Sequence, residues 1–168
     1  MQKDIKIIKV ADILYETMSD MPGFSTSIYC QGCKHHCKGC HNPQTWDFEK
    51  GKEYTVEELY NIVISDEFSD VTFTGGDPLF QVESFTELAK MIKNNTNKKI
   101  WCYTGFLYED IKNDDKLNII LPYIDALVDG PFDITKRNTD LKFRGSENQR
   151  IIHLKKGDVI LIEKETLN

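Results

Sequence analysis

Long apolar runs are absent from this sequence. Hydrophobic residues make up 40% of its 168 positions, yet nowhere do they continue for the roughly 20 residues that a membrane-spanning helix needs. A surplus of positive charge is absent too: 21 lysines and arginines stand against 27 aspartates and glutamates, a formal net of -6. No cationic field is available to collect phosphates, so nucleic-acid partners are disfavoured. Proline is scarce, with 5 residues, and no Pro-, Gly- or Ser-rich linker, low-complexity tract or internal repeat divides the chain. At roughly 150 residues per domain, this argues for a single domain over residues 1–168. With 29% charged residues the composition is that of an ordinary globular protein, which excludes the collagen-like, disordered and membrane-embedded classes. The opening stretch from Met1 to Val10 scatters charges among its apolar residues and carries no small-residue cleavage site. No secretory signal is read there, and a cytoplasmic location is expected.

Cysteine is distributed unevenly. Of the 5 present, Cys30, Cys33, Cys37 and Cys40 crowd into one short stretch, and Cys102 stands apart. In a reducing compartment such crowding reads as metal ligation and not as disulfides. The spacing Cys33-x3-Cys37-x2-Cys40 offers three thiolates from one loop, which suits an iron–sulfur cluster with one metal position left free of protein. Zinc is the alternative: Cys30-x2-Cys33 and Cys37-x2-Cys40 make two knuckles, with His41 as a further nitrogen donor. Only three residues separate the knuckles, far fewer than the dozen or so between the pairs of a zinc ribbon, and this favours the cluster. A dithiol redox site on either Cys-x2-Cys pair is weaker still, because the two pairs lie back to back.

The pattern around the cysteines alternates strands with helices. After an extended start, Phe24 to Tyr29 is rich in β-branched and aromatic residues and predicts a strand that feeds directly into the cysteine loop. Thr55 and Glu58 form a capping box ahead of Val56, Leu59, Tyr60 and Val63 at helical spacing. Val71 to Thr74 predicts a strand stopped by Gly75-Gly76, and Phe85, Leu88, Ala89 and Ile92 predict the helix after it. Ile100 to Thr104 repeats the strand pattern, a weaker helix runs through Leu107, Ile111 and Leu117, and Ile124 to Val128 is a further strand. Two tail strands, Arg150 to Leu154 and Asp158 to Ile162, flank a Lys-Lys-Gly turn. Strands separated by helices imply parallel βα units, whose functional loops gather at the carboxyl ends of the strands. Four such loops are expected on one rim: Cys33 to Cys40, Gly75 to Pro78, Thr104-Gly105 and Asp129-Gly130.

Cys33-Lys-His-His-Cys37-Lys-Gly-Cys40-His-Asn-Pro43 resembles the Cys-x3-Cys-x2-Cys loop of the radical S-adenosylmethionine superfamily. Met21-Pro-Gly-Phe, Gln44-Thr-Trp46, Thr74-Gly-Gly-Asp-Pro78, Val128-Asp-Gly-Pro-Phe132 and Phe143-Arg-Gly-Ser-Glu-Asn-Gln-Arg-Ile151 extend the likeness. Together they resemble the activating proteins of anaerobic (class III) ribonucleotide reductases. Taken with the chain length, which falls well short of the roughly 250 residues of a full eight-unit barrel, the resemblance implies an α/β fold, an open partial (β/α) barrel of the radical S-adenosylmethionine type. An open side would let a large partner protein reach the site.

The resemblance implies that Cys33, Cys37 and Cys40 hold three irons of a 4Fe-4S cluster while the fourth iron takes S-adenosylmethionine. One electron, from reduced flavodoxin or a similar donor, then cleaves the sulfonium, and the resulting 5'-deoxyadenosyl radical takes a hydrogen from a glycine of the reductase. Gly75, Gly76 and Asp77 match the Gly-Gly-Glu motif that receives the methionine ammonium, with Asp in place of Glu. His41 and Asn42 stand where the adenine is contacted. Thr104 and Asp129 are expected to bind ribose, methionine carboxylate or a cation. Gly39 replaces an aromatic residue usual before the third cysteine, and Met21 stands where relatives often have glycine. Only Cys30 and Cys102 remain beyond the ligands, which excludes activases with ferredoxin-like inserts.

The remaining candidates have blander readings. Cys30 and Cys102 are expected as packing thiols. Trp46 either shields the cluster or simply packs. His35 and His36 are expected to face solvent. Arg144 and Arg150 either pair with the cofactor or the reductase, or form salt bridges that fasten the carboxyl-terminal segment.

Overall fold

The computed structural model describes residues 4–163. Its strands are β1 (Ile7–Thr17), β2 (Ser25–Cys30), β3 (Lys52–Thr55), β4 (Asp70–Gly75), β5 (Ile100–Tyr103), β6 (Ala126–Asp129), β7 (Arg150–Lys155) and β8 (Asp158–Ile162). The helices are α1 (Val56–Ser65), α2 (Val82–Asn95) and α3 (Tyr108–Asn113). All the strands join one 8-stranded sheet in the order β3-β1-β2-β4-β5-β6-β7-β8. Among the described residues, its two ends, β3 and β8, do not pair with each other. No helix among these residues is long and apolar enough to cross a membrane.

The centre of the sheet follows the expected parallel pattern, β2-β4-β5-β6. The flanks do not: β1, β3, β7 and β8 are antiparallel to their neighbours. Here short connections replace helical crossovers. The β7–β8 turn has Lys156 and Gly157 at φ 52° and 85°, the left-handed pair that a tight hairpin requires. β3 carries no strand signature of its own and exists through pairing with β1, from Ile7 opposite Thr55 to Val10 opposite Lys52. The weak helix expected through Leu117 stops at Asn113, and a 3-10 turn, Asn118–Tyr123, follows with Pro122 inside it.

Local chemistry sets the helix starts. Thr55 Oγ1 accepts from Glu58 N at 3.1 Å and Glu58 Oε2 accepts from Thr55 N at 2.7 Å, so the capping box opens α1 as read. Period-two alternation then gives the sheet two unlike faces. Val71, Phe73, Ile100, Cys102, Leu127 and Ile152 form one core with Leu59, Phe85, Leu88 and Ile92 of the helices. The intervening Trp101, Ala126, Val128 and Ile151 form a second, smaller core with Met21 and, less deeply, Tyr103 and Phe143. The residues covering this second face come from two loop segments. Tyr103 Oη ties both segments down, its single proton shared between the carbonyls of Asp20 at 2.9 Å and Phe143 at 2.7 Å. Above that small core the face stays open, and the site lies there.

Candidate active site

The cysteine loop is stitched to its surroundings by backbone hydrogen bonds. Gly32 N donates to Thr45 O at 2.6 Å and Cys33 N to Trp46 O at 3.2 Å, which closes the loop on itself. Gly76 N donates to Cys30 O at 2.8 Å and Asp77 N to Gly32 O at 3.0 Å, which joins it to the turn after β4. Glycine is required at that contact, since a Cβ at Gly76 would lie 2.4 Å from Gly32 O.

Cys33, Cys37 and Cys40 all line one cavity of about 480 Å³, within the range of small-molecule sites. The four expected loops do meet there: Gly75, Gly76, Asp77, Thr104, Gly105 and Gly130 share its wall with the three cysteines, His41, Asn42 and Trp46. Burial pushes the Cys33 thiol up to about 11 and the Cys37 thiol upward as well. Binding a metal there therefore releases protons. Cys30 and Cys102 have no exposed surface and sit in the helix-side core, where burial drives both thiols far upward.

Two expectations change. Asp129 does not line the cavity: its carboxylate has no exposed surface, accepts from Tyr108 N at 2.9 Å and is paired with Arg150, whose Nε donates at 3.0 Å. Arg150 thereby joins the start of β7 to the end of β6. His35 does not face solvent, because its ring turns inward and Nε2 lies 2.7 Å from Asp77 Oδ2. Asp77, 1% exposed, takes donors of the chain itself, including Thr104 Oγ1 at 2.8 Å, on the oxygen that meets His35. His36 is exposed and stacks on Trp46 with ring centroids 4.6 Å apart. Trp46 forms a wall between the cavity and a shallower depression outside it lined by Lys34, His36 and Phe48.

The structure also explains Gly39. Its φ is +76°, and a Cβ there would lie 2.4 Å from Ile134 Cδ1, so Ile134 fills the space beside it. Several lining residues were not assigned to the site from the sequence: Ser19, Asp20 and Leu141, and also Tyr29, Phe132, Phe143 and Gln149, which were read only within a strand or a motif. Tyr29 was accessible through alternation along β2. The rest lie on irregular segments without periodicity, and Gln149 organises one of them. Its Oε1 accepts from Gly145 N at 2.9 Å and Ser146 N at 3.1 Å, and its Nε2 donates to Gly130 O at 3.0 Å. Arg144 Nη1 donates to Gln149 O at 2.7 Å.

The donor set fits an iron–sulfur cluster. The three cysteines are free of disulfides. A single metal ion needs ligand atoms that converge on one point, and no three His, Cys, Asp or Glu side chains do so among the described residues. A cluster makes no such demand, because each thiolate bonds a different iron.

Comparison with known proteins agrees with this chemistry. The family model for a 4Fe-4S single cluster domain matches residues 20–152. The chain is 35% identical over 141 residues to the anaerobic ribonucleoside-triphosphate reductase-activating protein of Vibrio cholerae, covering 79% of this chain and 88% of that protein. It is 35% identical to the protein of that name from Enterobacteria phage T4, with 77% and 84% covered. For the one from Escherichia coli K12 the identity is 30%, with 80% and 91% covered. In fold the chain is similar to QueE from Escherichia coli, at a TM-score of 0.51 and 16% identity, over 59% of this chain and 52% of that one.

Proposed function

This chain belongs to the family of anaerobic ribonucleoside-triphosphate reductase-activating proteins, and from that premise we propose how its residues serve the activity. It is a radical S-adenosylmethionine activating enzyme that generates the glycyl radical on the anaerobic reductase. The observation that carries the reading is the convergence of Cys33, Cys37 and Cys40 on one cavity at the carboxyl ends of the parallel strands. When bound, a 4Fe-4S cluster supplies one electron to S-adenosylmethionine, whose cleavage yields the 5'-deoxyadenosyl radical that takes a hydrogen from a glycine of the reductase.

The chain's own share is placement and exclusion. Cys33, Cys37 and Cys40, which line the cavity together, would hold the cluster and leave room beside it for S-adenosylmethionine. Gly75 and Gly76 line the cavity, and their lack of side chains lets the turn after β4 close on Cys30 and Gly32. His41 and Asn42 line the cavity beside the third cysteine, where they would meet the adenine. Trp46 and the segment organised by Gln149 keep water from the reacting atoms.

The chain acts as a single domain. Its sheet curves as an open partial barrel whose open side admits the reductase. Reduced flavodoxin or a similar carrier delivers the electron, and the reducing cytoplasm keeps the thiols available.

Anaerobic reconstitution followed by iron and sulfide analysis, and by assay of 5'-deoxyadenosine after dithionite reduction, tests this reading. Close to four irons and four sulfides per chain with S-adenosylmethionine cleavage is the expected result. A colourless protein that takes up zinc and never cleaves S-adenosylmethionine contradicts it.

A further inference from the structure

His35 leaves the loop between Cys33 and Cys37 and enters a slot made for its ring. Gly105 forms the floor: a Cβ there would lie 2.6 Å from His35 Cδ2. Phe106 meets the ring edge-on at 4.6 Å between centroids, and Phe80 lies tilted at 5.3 Å. At the inner end Nε2 meets Asp77 Oδ2 at 2.7 Å. The same Oδ2 accepts from Thr104 Oγ1 at 2.8 Å and Gly105 N at 2.9 Å, and Oδ1 accepts from Leu79 N at 2.9 Å. Three donors of the chain thus crowd Oδ2, the oxygen that faces the cysteine loop and the end of β5, while Oδ1 takes one. With 1% of its surface exposed, Asp77 is held among these donors at the inner end of the slot.

We propose that His35 is a positioning residue: seated between the loops after β4 and β5 and fastened to Asp77, it locks the cysteine loop onto the strand ends. Asp77 serves that lock through Oδ2. The inference rests on the proposed function for what the loop carries, whereas the lock is a property of the metal-free chain. It also accounts for glycine at position 105, where a side chain would expel the ring.

Hydrogen exchange over residues 31–42, read by mass spectrometry on the full chain with and without reconstitution, tests the lock in H35A, D77N, G105A and the double variant H35A/G105A. Exchange of the loop should rise about tenfold in each single variant. In the H35A background, G105A should add under about twofold, because the ring it strikes is gone. After reconstitution, the electron paramagnetic resonance spectrum of the reduced cluster without S-adenosylmethionine should shift in all three single variants. Wild-type exchange in H35A and G105A, with only D77N weakening S-adenosylmethionine binding, overturns the proposal. Should D77N fail to fold, H35A and G105A decide alone. A wild-type chain that takes up no cluster would sink the proposed function while leaving the metal-free exchange comparison to judge the lock.

Discussion

Arg150 closes over Asp129, its Nε 3.0 Å from a carboxylate with no exposed surface, and reaches on to Glu109 with Nη1 at 3.0 Å and Nη2 at 2.8 Å. One guanidinium thus ties β7 to the end of β6 and to the start of α3. Arg150→Met leaves Asp129 buried without its cation and should lower stability by about 3 kcal/mol. Denaturant unfolding measures this, and a loss under about 1 kcal/mol would show that the pair is not a fastening.

The same contact sets an acid dependence. The hydrogen bond from Arg150 holds the Glu109 carboxyl below the usual carboxylate range. A group whose folded value is lowered contributes stability above its unfolded value, about 4.3, and loses it as the pH falls through the folded value. Unfolding midpoints from pH 6 down to pH 3 should therefore fall less steeply in Glu109→Gln than in the wild type. An unchanged slope would remove Glu109 from the account.

Most of the elements were legible because their signals are local. The Thr55 and Glu58 box, the Gly75-Gly76 stop after β4 and the helical spacing from Phe85 to Ile92 each report on neighbours a few residues away. β3 was not legible, since Lys52–Thr55 becomes a strand only by pairing with β1 some 45 residues earlier, as in the Val10 and Lys52 pair. The site divides in the same way. The cysteines and the glycine turn lie in short motifs, while the His35 and Asp77 contact joins residues 42 positions apart. The pairing of Asp129 with Arg150 is likewise a tertiary fact, and the expectation that Asp129 lines the cavity failed for that reason.

Gly39 admits a sharp steric test. Gly39→Tyr, which restores the aromatic residue usual in the superfamily, drives a side chain into Ile134 and forces a left-handed φ on a residue with a Cβ. Iron uptake should fall several-fold, and Ile134→Ala should recover part of it. Full uptake by the single variant would mean that the contact yields freely.

Trp46 separates the cavity from the depression outside it. Trp46→Ala should leave the iron content after anaerobic reconstitution near that of the wild type. In air it should shorten the lifetime of the cluster several-fold, because oxygen and water then enter from the outer side. Equal lifetimes would reduce Trp46 to packing.

The central claim, that three cysteines of one loop support glycyl radical formation on a partner, is tested most directly by electron paramagnetic resonance of the reductase after incubation with reduced activase and S-adenosylmethionine. The account predicts a glycyl radical signal with the wild type and with Cys102→Ala, and none with Cys33→Ala, Cys37→Ala or Cys40→Ala. A signal that survives loss of any of those three cysteines, or a wild-type protein that cleaves S-adenosylmethionine yet leaves no radical on the reductase, would contradict it.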